Sequence, residues 1–330
     1  MITRRALMKG LVGAGVGGAL GLATRPAGAE PPPETTRIRL SQIPGICVAP
    51  QFVAEELLRA EGFTDVRYVR SPQTYEGFAA GMLDISMAFV APFLIQVDAG
   101  VPIVMLAGVH PGCFELIGTE RIRAISDLKG KTVGVLSMGS AHHVFLASMA
   151  AYVGLDPGKD INWFVHRPAD SARLLGEGTV DALMGFPPVP QELRAMKVGH
   201  VVVNSAVDRP WSQYFCCMVT ARSEFARQYP VATKRALRAF LKATDVCALE
   251  PERAARRLVE RGFTKEYGYA IQSMKEIPYN RWREYNPEDS ARFYALRLHE
   301  IGMVKASPQR LIAQGTDWRF LNELKKELKG

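Results

Sequence analysis

Short apolar runs alternate with segments of helical periodicity along most of the chain. The runs at 83–89 and 101–107 are apolar almost throughout, which is typical of strands buried on both faces. The segments at 51–60 and 140–153 carry apolar residues at helical spacing. The same pattern predicts strands at 37–41, 66–69, 113–118, 132–136, 161–165, 180–185, 200–203 and 214–220, and helices at 73–80, from 91, at 170–176 and at 189–196. This alternation predicts an α/β fold with mainly parallel sheets flanked by helices.

The strand–helix alternation stops near 118 and restarts near 126, which predicts two lobes. We expect lobe 1 to comprise 37–118 and 222–330, and lobe 2 to comprise 119–221, after a proline-rich linker at 30–36. Roughly 300 residues are also more than a single hydrophobic core usually accommodates. A ligand is expected in the cleft between the lobes, where strands end and helices begin.

The first 29 residues have the composition of an export signal. Arg4 and Arg5 precede an apolar, glycine-rich core at 11–23, and Ala27-Gly28-Ala29 supplies small residues for cleavage. This pattern predicts a twin-arginine signal cleaved after Ala29 and a periplasmic protein. The alternative is a membrane anchor, but the apolar core is shorter than the roughly 20 residues that span a bilayer.

The charge of the chain is only mildly basic once the predicted signal is removed. The formal net charge is +8, and residues 1–29 contribute four basic and no acidic residues, which leaves 8 − 4 = +4. The basic residues after 221 alternate with acids, as on solvated helix faces. Binding to nucleic acid is not indicated, and we expect a monomer.

The five cysteines do not form a recognisable framework. Their number is odd and their spacing irregular, and no C-x-x-C pair is present among Cys47, Cys113, Cys216, Cys217 and Cys247. The spacing therefore predicts neither disulfides nor a metal site, and no cofactor is expected. The cysteines read as small buried hydrophobic residues.

The turn after the strand at 132–136 is the strongest candidate for ligand chemistry. Ser137, Gly139 and Ser140 lie where a helix begins, so backbone N–H groups and hydroxyls could hold an anion or a polar group. His142 and His143 are adjacent and cannot face the same direction on a helix. We expect His142 to face the cleft; the alternative is a surface histidine.

Three segments together indicate a family. ISDLKGKTVGVLSMG at 125–139, GLDPGKD at 154–160 and GEGTVDAL at 176–183 occur in an order that resembles the periplasmic solute-binding proteins of nitrate, sulfonate, taurine and thiamine-pyrimidine-precursor ABC importers. The resemblance covers about 37–262. It implies a two-lobed type II periplasmic binding fold and a protein that delivers a small polar or anionic organic solute to an inner-membrane ABC permease. By loop position it implies ligand contacts at Cys47, Tyr75, Ala91, Pro92, Ser137, Gly139, Ser140, His142, Phe186, Pro187, Trp211, Gln213 and Tyr214.

Two other functions remain open from the sequence. Cys47, in the first cleft loop, could act as a nucleophile, since a desulfinase with a cleft cysteine is similar to this family in fold. A periplasmic ligand sensor is the third possibility. The aromatic side chains of Phe186, Trp211 and Tyr75 would suit a flat ligand, but the alternative for Phe186 and Trp211 is a place in the core.

Overall fold

The computed structural model describes residues 30–43 and 45–328. The predicted signal at 1–29 and its cleavage after Ala29 lie outside the described residues. Within the described ranges, none of the helices has the length and apolar character needed to cross a membrane. The linker at 30–36 has neither helix nor strand, and the Glu34 carboxylate accepts hydrogen bonds from the first backbone N–H groups of a later helix, at Val231 and Ala232.

Ten strands and thirteen α-helices make up the described chain. The strands are β1 (Arg37–Ser41), β2 (Asp65–Val69), β3 (Ile85–Phe89), β4 (Ile103–Pro111), β5 (Glu115–Gly118), β6 (Lys131–Val135), β7 (Ile161–Val165), β8 (Ala182–Gly185), β9 (His200–Asn204) and β10 (Phe215–Arg222). The helices are α1 (Ala49–Ala60), α2 (Thr74–Ala79), α3 (Val90–Asp98), α4 (Ala141–Tyr152), α5 (Ser171–Gly176), α6 (Val189–Met196), α7 (Ser223–Gln228), α8 (Pro230–Leu249), α9 (Pro251–Glu260), α10 (Tyr267–Glu276), α11 (Pro287–Glu300), α12 (Pro308–Gly315) and α13 (Arg319–Glu327). The α/β class expected from the pattern is confirmed.

The strands form three hydrogen-bonded groups. β1 pairs with β2 in parallel, and β10 lies between β3 and β4, antiparallel to both. The five-stranded sheet has the order β7-β6-β8-β5-β9. In it β6 is parallel to β7 and β8, whereas β5 is antiparallel to β8 and β9. The strands are therefore less uniformly parallel than expected, because β5 and β10 each run against both of their partners.

Two strands lie on the far side of the predicted lobe boundaries. β5 was expected to end lobe 1, but it pairs with β8 and β9. β10 was expected to end lobe 2, but it pairs with β3 and β4. The chain thus passes from one sheet to the other between β4 and β5, and returns between β9 and β10. The division into two lobes stays a prediction.

An aromatic cluster lies between these groups of strands. The Phe89 ring, at the end of β3, lies 5.3 Å from Phe114, 5.1 Å from Phe145 and 5.2 Å from Tyr294. All four side chains are buried. They pack β3, the segment before β5, and helices α4 and α11 against one another beneath the predicted cleft.

Candidate functional site

The turn from β6 into α4 forms one wall of the candidate site. The Ser140 side chain caps the helix, since its oxygen accepts a hydrogen bond of 3.4 Å from the His143 backbone N–H, and Ser140 is fully buried. Gly139 takes a φ of +77°, and its N–H donates to His143 Nδ1 at 3.1 Å. Ser140 therefore already has a structural role as the helix cap, and Ser137 is the half-buried hydroxyl of the turn.

His142 offers the unpaired polar atom of this wall. Its ring stacks on Phe186 at 4.7 Å and meets the edge of Phe114 at 5.7 Å, and its buried Nδ1 atom has no hydrogen-bond partner within 30–43 and 45–328. Burial, and secondarily the charge of His166, lower the pKa of His142 to about 3. The imidazole is thus neutral at pH 7.

His143 points elsewhere, as expected for adjacent helical residues. Its ring meets the edge of Trp163 at 4.6 Å, and burial lowers its pKa. Only His142 of the two contacts Phe114 and Phe186.

Loops that follow β1 and β2 contact this turn and the neighbouring loop after β8. The Tyr75 hydroxyl, at the start of α2, donates to the Gly139 carbonyl at 3.2 Å. The Ile46 N–H donates to the Pro187 carbonyl at 3.3 Å. A Cβ atom on Gly45 would lie only 3.2 Å from the Phe186 ring. Loops that follow β1 and β2 therefore touch loops that follow β6 and β8, as a closed cleft requires.

The remaining predicted residues are packed or exposed. Ala91 and Pro92 are buried in the first turn of α3. Trp211 is buried, with Phe145 at 5.9 Å and Tyr152 at 5.2 Å, so it packs with the core aromatics, and Gln213 is exposed. Tyr214 stacks on Phe293 at 3.9 Å. Their roles as ligand contacts stay predictions.

An ion-pair network between α6, α10 and β5 was not predicted from the sequence. Arg194 on α6 donates to both carboxylate oxygens of Glu276 on α10 at 2.7 Å, and also to the buried carboxylate of Glu115 on β5. Gln191 donates to the same Glu276 at 2.8 Å. Burial raises the pKa of Glu115, and Arg194 opposes that rise. The partners are 82 and 79 residues apart, so no local pattern could reveal them.

All five cysteines are buried, as expected, and four of them lie close together in space, which their spacing along the chain did not indicate. The sulfur atoms of Cys47, Cys113 and Cys217 lie within 4.8 Å of one another. Cys216 Sγ lies 3.4 Å from Cys113 Sγ, and all five cysteines are unbridged and buried. The expectation of no metal site rested on spacing along the chain, whereas the proximity of these three sulfurs comes from three separate segments; the absence of a metal site stays a prediction.

The thiols of this cluster differ in acidity. For Cys47, hydrogen bonding with Cys113 lowers the pKa, but contact with Cys217 and burial raise it by more, so the pKa is well above its ordinary value. Burial, followed by contacts with the neighbouring sulfurs, raises the pKa of Cys113. Contacts with Cys113, Cys216 and Cys47 lower the pKa of Cys217. The pKa values of Cys47 and Cys217 are therefore shifted in opposite directions.

Comparisons with known proteins agree with this fold. The model of the NMT1-like family matches residues 31–261. The chain is 22% identical over 244 residues to the nitrate/nitrite binding protein NrtA of Nostoc sp. (strain PCC 7120), an alignment that covers 66% of this chain. It spans only 55% of that relative's length.

Solved structures show the same architecture. The periplasmic nitrate-binding protein NrtA from Synechocystis PCC 6803 is similar with a TM-score of 0.74 and 18% identity, over 90% of both chains. A cysteine-to-serine mutant of DszB in complex with biphenyl-2-sulfinic acid is similar with a TM-score of 0.64 and 17% identity, over 88% of this chain and 99% of that one. At these identities the likeness shows the periplasmic binding protein fold alone.

Proposed function

Because the chain belongs to the NMT1-like family, we propose that it is the periplasmic solute-binding component of an ABC importer. In this role it captures a small polar or anionic organic solute and delivers it to a permease in the inner membrane. The two NrtA proteins reported above are named as binders of nitrate or of nitrate and nitrite, which supports an oxyanion as the first class to test.

The observation that carries the proposal is the state of His142. Its buried Nδ1 atom has no hydrogen-bond partner among the described residues, and its ring contacts Phe114 and Phe186, near the point where loops after β1 and β2 meet loops after β6 and β8. A buried polar atom without a partner is costly unless something bonds to it. A solute that hydrogen-bonds to this nitrogen and lies against the Phe186 ring satisfies both features.

The hydrogen bonds between the facing loops are compatible with capture and release of a solute. The hydrogen bonds from Tyr75 to Gly139 and from Ile46 to Pro187 join loops on opposite sides of the cleft, and both must break for a solute to enter. Two such hydrogen bonds, of 3.2 and 3.3 Å, can be exchanged at modest cost, which suits hinge closure of the two predicted lobes.

Catalysis through Cys47 is the less favoured reading. A thiolate is the nucleophile in cysteine enzymes, and the pKa of Cys47 is raised, so this thiol stays protonated near neutral pH. The fold itself does not decide the matter, since DszB shares it in complex with a sulfinic acid. We therefore propose binding without turnover.

A thermal-shift screen tests the proposal, with nitrate, nitrite, alkanesulfonates, aryl sulfinates and pyrimidines as probes. A true ligand at 100 times its dissociation constant should stabilise the fold by about 2.7 kcal/mol. Calorimetry on His142→Phe should then show affinity weakened by at least about tenfold, since one hydrogen bond to a charged group contributes about 1.5–3 kcal/mol. The matched control His299→Phe replaces an exposed histidine on α11 and should bind as wild type.

Three results would count against the proposal. The binding role fails if no probe stabilises the protein. If His142→Phe binds the identified ligand with unchanged affinity, the ligand does not bind at His142. Chemical change of the ligand after incubation, followed by mass spectrometry, would support the enzyme instead.

Export can be tested separately. The Arg4→Lys plus Arg5→Lys variant should stay in the cytoplasm if the signal is of the twin-arginine type. Normal accumulation in the periplasm would assign residues 1–29 to an ordinary secretory signal.

A further inference from the structure

Three segments that are far apart in the chain each contribute one cysteine to a cluster of sulfur atoms. Cys47 lies in the 3-10 helix Ile46–Val48 after β1, Cys113 follows β4, and Cys217 lies on β10. The pairing of β10 with β4 is irregular on both sides of Cys217. Such an irregularity re-aims side chains, so Cys216 and Cys217 both reach toward Cys113 although neighbouring strand residues normally face opposite ways.

We propose that Cys47, Cys113 and Cys217 form a binding site for one thiophilic d10 cation, Zn(II) or Cu(I), that resides in the protein. With a metal–sulfur bond of about 2.3 Å, three coordinating sulfurs lie about 3.8–4.0 Å apart. The three sulfurs here are already within 4.8 Å of one another, so shifts of less than about 1 Å would complete the site.

The surroundings of the three sulfurs also suit a metal centre. His110 lies opposite Cys217 in the β4–β10 pairing and contacts it, and its Nδ1 lies 3.2 Å from the Pro111 carbonyl. Its buried Nε2 has no hydrogen-bond partner in the part of the chain that the structure describes. When Nδ1–H is held by a backbone carbonyl, as is usual for metal-binding histidines, Nε2 is left as the nitrogen that can bond to a metal ion or to a thiolate. The Tyr279 hydroxyl donates to the Cys47 carbonyl at 2.9 Å, which holds the cysteine loop in place.

The chemistry of the donors indicates which ions fit. Thiolate sulfur selects Cu(I) and Zn(II) over hard cations such as Mg(II) and Ca(II). All three cysteines are no more than 6% exposed, so the site is closed to solvent in the manner of a structural metal centre. Coordination replaces thiol protons with the cation, so up to three protons leave for each ion bound.

The proposal goes beyond solute capture, and its test needs no solute. The full-length protein, reduced and kept free of oxygen, is titrated with Zn(II) or with Cu(I) against a competing chelator, and metal content is measured by mass spectrometry. We expect one ion per chain. Cys113→Ser and Cys217→Ser should each lower affinity by at least about 100-fold, because each removes a coordinating sulfur. The matched control Cys247→Ser changes a buried cysteine on α8 outside the cluster and should bind as wild type.

If a serine variant fails to fold, X-ray absorption spectra of the metal-loaded wild-type protein still identify the atoms bound to the metal. A shell of three sulfur atoms near 2.3 Å from the metal is the expected result. A shell of only nitrogen and oxygen atoms would overturn the site, as would equal metal content in Cys217→Ser and wild type. Failure of the reduced protein to retain either ion, with all five thiols titratable after unfolding, would overturn it as well. A disulfide between Cys113 and Cys216 in the protein isolated without reductant, with no metal bound after reduction, would assign this cluster to redox chemistry instead.

Discussion

The neutral state of buried His142 predicts a measurable loss of stability in mild acid. In the unfolded chain the imidazole takes up a proton below its ordinary pKa of 6.5, whereas in the folded protein burial holds the pKa at about 3. The unfolded state therefore binds more protons between these two values. The free energy of unfolding is unaffected above pH 6.5, falls as the pH decreases through the window, and stops falling near pH 3.

The size of the effect follows from the two pKa values. Each pKa unit is worth about 1.36 kcal/mol, so lowering the pH from 7.5 to 5.0 should cost about 2 kcal/mol through His142 alone. His142→Phe keeps a ring beside Phe186 but cannot titrate, so its loss over this range should be smaller by that amount. The neighbouring His143 also has a lowered pKa and remains in both proteins, which is why the difference between them is the quantity of interest.

Urea denaturation at pH 7.5 and pH 5.0 measures this difference. His299→Phe serves as the control, because its ring is exposed on α11 and its removal should leave the pH dependence of wild type. Equal losses in wild type and His142→Phe would refute the reasoning, since they would mean that His142 is charged or solvated in the folded protein.

Three further outcomes are expected from other features. Arg194→Met leaves the buried Glu115 without its cation and should lower the free energy of unfolding, measured with urea, by about 3 kcal/mol; adding Glu115→Gln should restore most of it. Tyr75→Phe removes one hydrogen bond across the closed cleft, so stopped-flow measurement should show ligand dissociation faster by about fivefold with the fold intact. Gly112→Ala should cost more than about 2 kcal/mol in the same urea assay, because its Cβ would lie 2.1 Å from a backbone oxygen, whereas Gly81→Ala, with positive φ but open space, should cost less.

Much of the fold could be predicted because its signals are local. The strand at 161–165 and the helix at 189–196 were predicted with the observed bounds, and most others differ by one to three residues at an end. Pro188 precedes the first residue of α6, and Lys197, with a φ of +57°, follows its last residue. Local features of the sequence therefore set both ends of this helix. The partners of β5 and β10 could not be predicted, because the strand order depends on contacts between distant segments.

The site was only partly accessible to sequence reasoning. The turn at 137–140 and the divergence of His142 from His143 follow from helix geometry alone. The metal-ligand geometry of Cys47, Cys113 and Cys217 could not be read from spacing, since it depends on an irregular β10 and on three elements meeting. The same holds for the network around Arg194, whose partners lie in β5 and α10.

The central place of β10 sets an order for the folding of the chain. The five-stranded sheet uses only residues 115–204, so all its partners are available as soon as that stretch has been synthesised. β3 and β4 have no such local partner, because the strand between them begins at residue 215, more than 100 residues later. Until then their unpaired edges are open to wrong pairing. A newly made chain should therefore complete its five-stranded sheet before the three-stranded sheet that contains β3 and β4.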